Sequence, residues 1–101
     1  MQLFDLKNMP SYPYAERQKN IFFQQDEFKA RLIDLKPGGA MPSCEMESSV
    51  LFYVISGSAQ VTVNNESAEL VAGKCLISEP ATLSMKSESG VRMMGIQITK
   101  R

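Results

Sequence analysis

The sequence predicts an all-β domain, a sandwich or barrel of short strands packed as antiparallel sheets. Three observations carry that reading. No window sustains apolar residues at helical spacing. Apolar–polar alternation of period two recurs instead, as expected for half-buried strands. The alternating runs return at roughly 8–12-residue spacing and are separated by Gly, Pro and Asn turn signals, as in sandwiches and barrels.

Taken in order, residues 1–20 read as an N-terminal arm and 21–101 as the barrel, one domain across 101 residues, within the usual single-domain range. Pro10 and Pro13 oppose both helix and central strand, so the segment through Tyr14 is expected to be extended or at an edge. Ile21–Gln25 is a short strand, with Asp26 in a turn. From Phe28 the pattern alternates, with Phe28, Ala30 and Leu32 on one face and Lys29, Arg31 and Ile33 on the other. Pro37-Gly38-Gly39 closes that strand. A strand entering the barrel and a short bend follow, then a strongly apolar strand from Val50 that ends at Gly57. Ser58–Val63 and Glu66–Leu70 make a hairpin around Asn64-Asn65, because Asn tolerates positive φ. Lys74–Ser78, broken by Glu79-Pro80, then Ala81–Lys86 and Val91–Thr99, complete the set.

Composition removes several function classes. The net charge is +0, with 11 basic and 11 acidic residues dispersed along the chain, so no basic block neutralises phosphates and nucleic-acid binding is not expected. The apolar run Val50–Ile55 is far shorter than the roughly 20 residues of a spanning helix, so no membrane role is expected. The N-terminus lacks a basic stretch followed by an apolar core, so no signal peptide is expected. Two cysteines without a secretory signal then read as free thiols in the cytoplasm. There is no histidine at all. That takes away the commonest general base near neutral pH and the commonest transition-metal ligand, and it excludes Ser-His-Asp and Cys-His catalysis.

The spacing from Gly38 to Gly57 resembles the first motif of the cupin family, Gly-x5-His-x-His-x3-Glu-x6-Gly, without insertion or deletion. Pro80-Ala81-Thr82-Leu83-Ser84-Met85 occupies the frame of the second motif, with Gly73 one residue further upstream than the pattern has it. The resemblance implies a double-stranded β-helix, a jelly-roll-like barrel of two facing antiparallel sheets with a pocket at one mouth. It places Cys44, Met46, Val50 and Met85 at the metal-ligand positions. Phe52 shares the face of Val50 and joins them as a pocket residue.

Three readings of that pocket remain open. In the first it is an apolar site for a small molecule, giving a non-catalytic binding or accessory protein without cofactor, since Met and Cys fill buried space well. Cys44, Met46 and Met85 would alternatively form a soft Cu(I) site. An atypical cupin enzyme is the third, with Cys44 or Tyr53 as the residues to test. A Cys44–Cys75 disulfide is a further option, and Lys29, Arg31, Lys86 and Arg92 are candidates to meet an anionic ligand at the rim. Val50–Ile55 is apolar on both faces, and so is the segment of Met93, Met94, Ile96 and Ile98. A barrel buries only its inner face, so a homodimer packed sheet against sheet is expected.

Overall fold

A computed structural model describes residues 1–99 of the chain. A 3-10 helix at Tyr14–Asn20 precedes eight strands: β1 (Ile21–Gln24), β2 (Phe28–Leu35), β3 (Ala40–Met46), β4 (Val50–Val63), β5 (Glu66–Val71), β6 (Cys75–Ser78), β7 (Ala81–Lys86) and β8 (Val91–Ile98). Their pairings are antiparallel and form two sheets, β1-β2-β8-β4-β6 and β3-β7-β4-β5. Because β4 belongs to both, the whole curls into the jelly-roll barrel of a double-stranded β-helix.

The shared strand corrects one expectation. Gly57 does not end a strand; β4 runs through it for 14 residues. The register slips between Val54 and Ser56, and the strand changes partners there. Its first half pairs with β6 and β8, its second with β5 and β7. Gly57 supplies φ +80°, and a Cβ on it would lie 2.2 Å from the Gly90 carbonyl oxygen. The bend is therefore built where only glycine fits. The Asn64-Asn65 hairpin forms as a two-residue turn in which Asn64 alone takes positive φ, at 55°. Its Oδ1 accepts from the Thr82 backbone N–H at 3.1 Å, tying the turn to β7.

Register fixes which face is inside. Val50, Phe52 and Val54 of β4 stand beside Gly95 and Met93 of β8, which in turn oppose Arg31 and Ile33 of β2. Val54, Val61, Met93 and Leu83 are almost wholly buried at the centre of this interior. The inward face of β2 is thus Arg31, Ile33 and Leu35. Ala30 and Leu32 point outward yet are buried, so both faces of this strand are covered.

The outer cover is the N-terminal arm, whose second half is helical. Tyr14–Asn20 winds into a 3-10 helix, kinked at Glu16, starting directly after Pro13. A proline with its fixed φ is well suited to precede a helical turn. The helix packs against β2. Earlier in the arm, Phe4 meets Phe22 and Phe23 edge-on, and Phe23 stacks on Phe28. Arg92 donates from Nε to the Leu6 carbonyl at 2.8 Å and from Nη2 to the Met9 carbonyl. It also pairs with Asp34 at 2.9 Å, and Asp34 accepts from the Ser11 hydroxyl at 3.0 Å.

Candidate functional site

Between the sheets lies a cavity of about 230 Å³, on the side where β2 and β3 face one another. β3 presents Met41, Cys44 and Met46 to it, and β4 presents Val50 and Phe52. Leu83 closes the β7 side, and Ile33 closes the β2 side. At Gly95 a Cβ would come within 3.2 Å of the Phe52 ring and 3.3 Å of Ile33 Cδ1, so the missing side chain makes room for that ring at the wall. The result is a mostly apolar recess with few polar groups, the usual composition of a small-molecule site.

The polar groups gather at one end. Tyr12, Tyr14, Arg17 and Asn20 come from the arm and its helix, Arg31 from β2, and Gln97 from β8. Asn20 is buried and holds the arm closed: its Oδ1 accepts from the Tyr12 N–H at 2.8 Å, and its Nδ2 donates to the Tyr12 carbonyl at 3.0 Å. Arg17 lies over the Tyr14 ring, 4.4 Å from its centroid, and donates to the Tyr14 carbonyl. Arg31 is half-buried. Desolvation pushes its guanidinium below the ordinary range, the neighbouring Arg17 charge pushes it further the same way, and Tyr14 acts in the opposite direction. Among the described residues no carboxylate pairs with it. Among the described residues the two ion pairs are Glu16–Lys19 and Asp34–Arg92.

The sequence-derived residues sort as follows. Cys44, Met46, Val50 and Phe52 line the cavity; Met85 does not. Met85 pairs with Met41 and Val61 and is buried in the core, 3% exposed. The three sulfurs of the Cu(I) reading are therefore not gathered at the cavity. Cys44 and Met46 approach one another, Sγ to Sδ 3.9 Å. Nor does the set Cys44, Met46, Val50 and Met85 fit the hard or borderline metals of the cupin fold, which need imidazole and carboxylate donors. Among the described residues no three of His, Cys, Asp and Glu come together.

The remaining candidates separate clearly. Tyr53 and Cys75 oppose each other on the outer face, away from the cavity. Cys44 and Cys75 are both free and exposed, so the disulfide is absent from the described chain. Of the four basic candidates only Arg31 lines the cavity. Lys29 shares its face without reaching the lining, Lys86 is exposed on the outer side of β7, and Arg92 is engaged by the arm. Sequence reasoning missed Tyr12, Tyr14, Arg17 and Asn20. Their one sequence signal is two tyrosines interleaved with two prolines directly before a polar segment, which marks a rigid aromatic strap without saying where it docks.

No protein-family model matches the chain, and no curated protein matches it by sequence. Solved structures do. The Thermus thermophilus protein TT1209 superposes with a TM-score of 0.85 at 25% identity over 100% of both chains. A cupin superfamily protein from Desulfitobacterium hafniense gives 0.74 at 17% identity, covering 79% of this chain and 74% of its own. An RmlC-like cupin from Shewanella frigidimarina gives 0.72 at 20% identity, covering 77% and 71%. Two sheets sharing one bent strand, glycines at both ends of the first motif, and these superpositions agree. The chain has the double-stranded β-helix fold that these cupin structures share.

Proposed function

We propose that this protein binds a small organic molecule in the inter-sheet cavity and serves a non-catalytic, accessory role. The observation that carries the reading is the recess itself: about 230 Å³, walled by Phe52, Val50, Ile33, Met46 and Leu83, with Tyr14, Arg17 and Arg31 clustered where the arm meets β2. An apolar wall with a localised polar patch suits binding and orientation. It offers little to catalysis, for no histidine exists to act as base and Asp34, the lining carboxylate, is held by Arg92 and Ser11. The test is a thermal-shift screen of small neutral aromatic and aliphatic compounds against the reduced protein. A true ligand at about ten times its Kd should raise Tm by roughly 5–10 °C. Met46→Trp, which fills the recess, should remove the shift while the variant stays folded. Binding that survives Met46→Trp, or no binding at all, would count against the cavity.

The protein is further read as a homodimer in the cytoplasm. Supporting the dimer, Tyr53, Ile77 and Ile98 stand 40%, 75% and 45% exposed on the outer face of the β1-β2-β8-β4-β6 sheet, beyond the part that the arm covers. A second copy against this face would take a contiguous apolar surface out of water. Light scattering at micromolar concentration should return twice the chain mass, and Ile77→Lys should halve it; a monomeric wild type would refute the assignment. Two free, exposed thiols support a reducing compartment. Among the described residues no helix is long and apolar enough to cross a membrane.

A further inference from the structure

The polar end of the cavity carries a charge imbalance that the apolar wall does not explain. Arg31 points inward from β2, half-buried, and shares the cavity lining with a second cation, Arg17, whose charge repels it. Withdrawing a guanidinium from water is costly unless an anion compensates it. Here the lining carboxylate is turned elsewhere: Asp34 accepts from Arg92 at 2.9 Å and from Ser11 at 3.0 Å. Arg17 is itself oriented toward this end by its stacking on Tyr14 and its bond to the Tyr14 carbonyl. Two guanidiniums and two tyrosines thus stand at one end of a recess whose other walls are hydrocarbon and thioether.

Resting on the cavity-binding reading above, we propose that the ligand is a small monocarboxylate with an aromatic or branched apolar body. Its carboxylate meets the forks of Arg31 and Arg17, and its body lies against Phe52, Val50 and Met46. A guanidinium presents paired N–H donors that match the two oxygens of a carboxylate. Neutralising Arg31 removes the repulsion between the two arginines, so the anion gains from both. The size agrees, because an apolar cavity of about 150 Å³ holds a benzene ring and this one is about 230 Å³. The surplus leaves space for a carboxylate at the basic end. A phosphate group alone would leave the apolar wall unfilled.

Benzoate, neutral benzamide and inorganic phosphate are the probes, titrated calorimetrically at constant ionic strength into the reduced full chain. Benzoate is expected to bind at least tenfold more tightly than benzamide. Arg31→Met should abolish that margin and leave benzamide binding unchanged. The same substitution should keep or raise Tm, since it replaces a half-buried cation that has no ion-pair partner among the described residues by an apolar chain, so the loss is not unfolding. Arg31→Lys, which keeps charge but not the fork, should recover part of the margin. Equal affinity for benzoate and benzamide, both lost in Met46→Trp, would overturn the carboxylate assignment while small-molecule binding stands. Phosphate binding as tightly as benzoate would overturn the apolar-body part. If none of the three binds, the cavity reading falls with it.

Discussion

Gly57→Ala is expected to destabilise the protein by about 3–5 kcal/mol, enough to consume much of the roughly 5–15 kcal/mol that holds a domain of this size together. Two effects add. At φ +80° an L-residue with a Cβ is disfavoured by about 1–2 kcal/mol. The Cβ would also sit 2.2 Å from the Gly90 carbonyl oxygen and 2.9 Å from Val91 Cα. Both are backbone atoms, which cannot swing aside as a side chain would. Relief would require parting β4 from the start of β8 at the bend where the strand passes between sheets. Gly38→Ala separates the two effects. It has φ +84° but nothing within 4 Å of its Cβ position, so it should cost only about 1–2 kcal/mol. Urea denaturation of both variants gives the comparison. Equal losses would mean that backbone conformation alone, and not the close approach at Gly90, requires glycine at Gly57.

This pair of glycines also shows why the fold was legible in the sequence. Gly38 and Gly57 mark places where the chain needs a backbone that other residues resist, and such places leave a residue-level trace. The alternation from Val50 to Val54 and from Val91 to Gly95 does the same for the inner face, because one wall of every strand must be apolar. β2 was harder to read. Its two faces are both covered, one by the opposite sheet and one by the arm, so alternation in Phe28–Leu35 does not say which face looks inward. Arg31 therefore stood level with Lys29, Lys86 and Arg92 as a candidate for an anionic ligand, although it alone of the four lines the cavity. Phe52 and Val50 were readable as lining because β4 faces an interior whatever happens elsewhere. Tyr12, Tyr14 and Arg17 were not, since their position depends on where a proline-interrupted arm docks. That docking is set by contacts from distant strands, above all by Arg92. Met85 failed for a related reason: a position carried over by motif spacing says that a side chain faces inward, and inward here includes the packed core as well as the cavity.

Arg92→Met should release the arm, at a cost of about 2–3 kcal/mol. The side chain is 14% exposed, and its three bonds reach two segments, the arm through Nε to Leu6 and Nη2 to Met9, and β2 through Nη1 to Asp34. Charge-assisted bonds of this kind are worth roughly 1.5–3 kcal/mol when poorly solvated. The partner Asp34 side chain is 31% exposed, so water recovers some of its loss and the sum stays moderate. Methionine preserves much of the apolar stem, which isolates the polar clamp from the packing. Freed of these bonds, the arm should leave the outward-facing Leu32 open to water, and the backbone around its already exposed Lys7 should become loose enough for trypsin to bind. Cleavage within residues 1–20 should therefore accelerate well before global unfolding does. The same release would withdraw Tyr12, Tyr14 and Arg17 from the cavity, so the affinity for benzoate should fall although Arg92 itself faces the opposite side of the sheet. A variant within about 0.5 kcal/mol of wild type, with unchanged proteolysis, would show that the aromatic contacts of Phe4 and the Asn20–Tyr12 bonds hold the arm alone. If the arm loosens while benzoate affinity holds, the arm is cover for the outer face and contributes nothing to the site. A joint loss would identify Arg92 as the residue that couples closure of the outer face to the shape of the cavity.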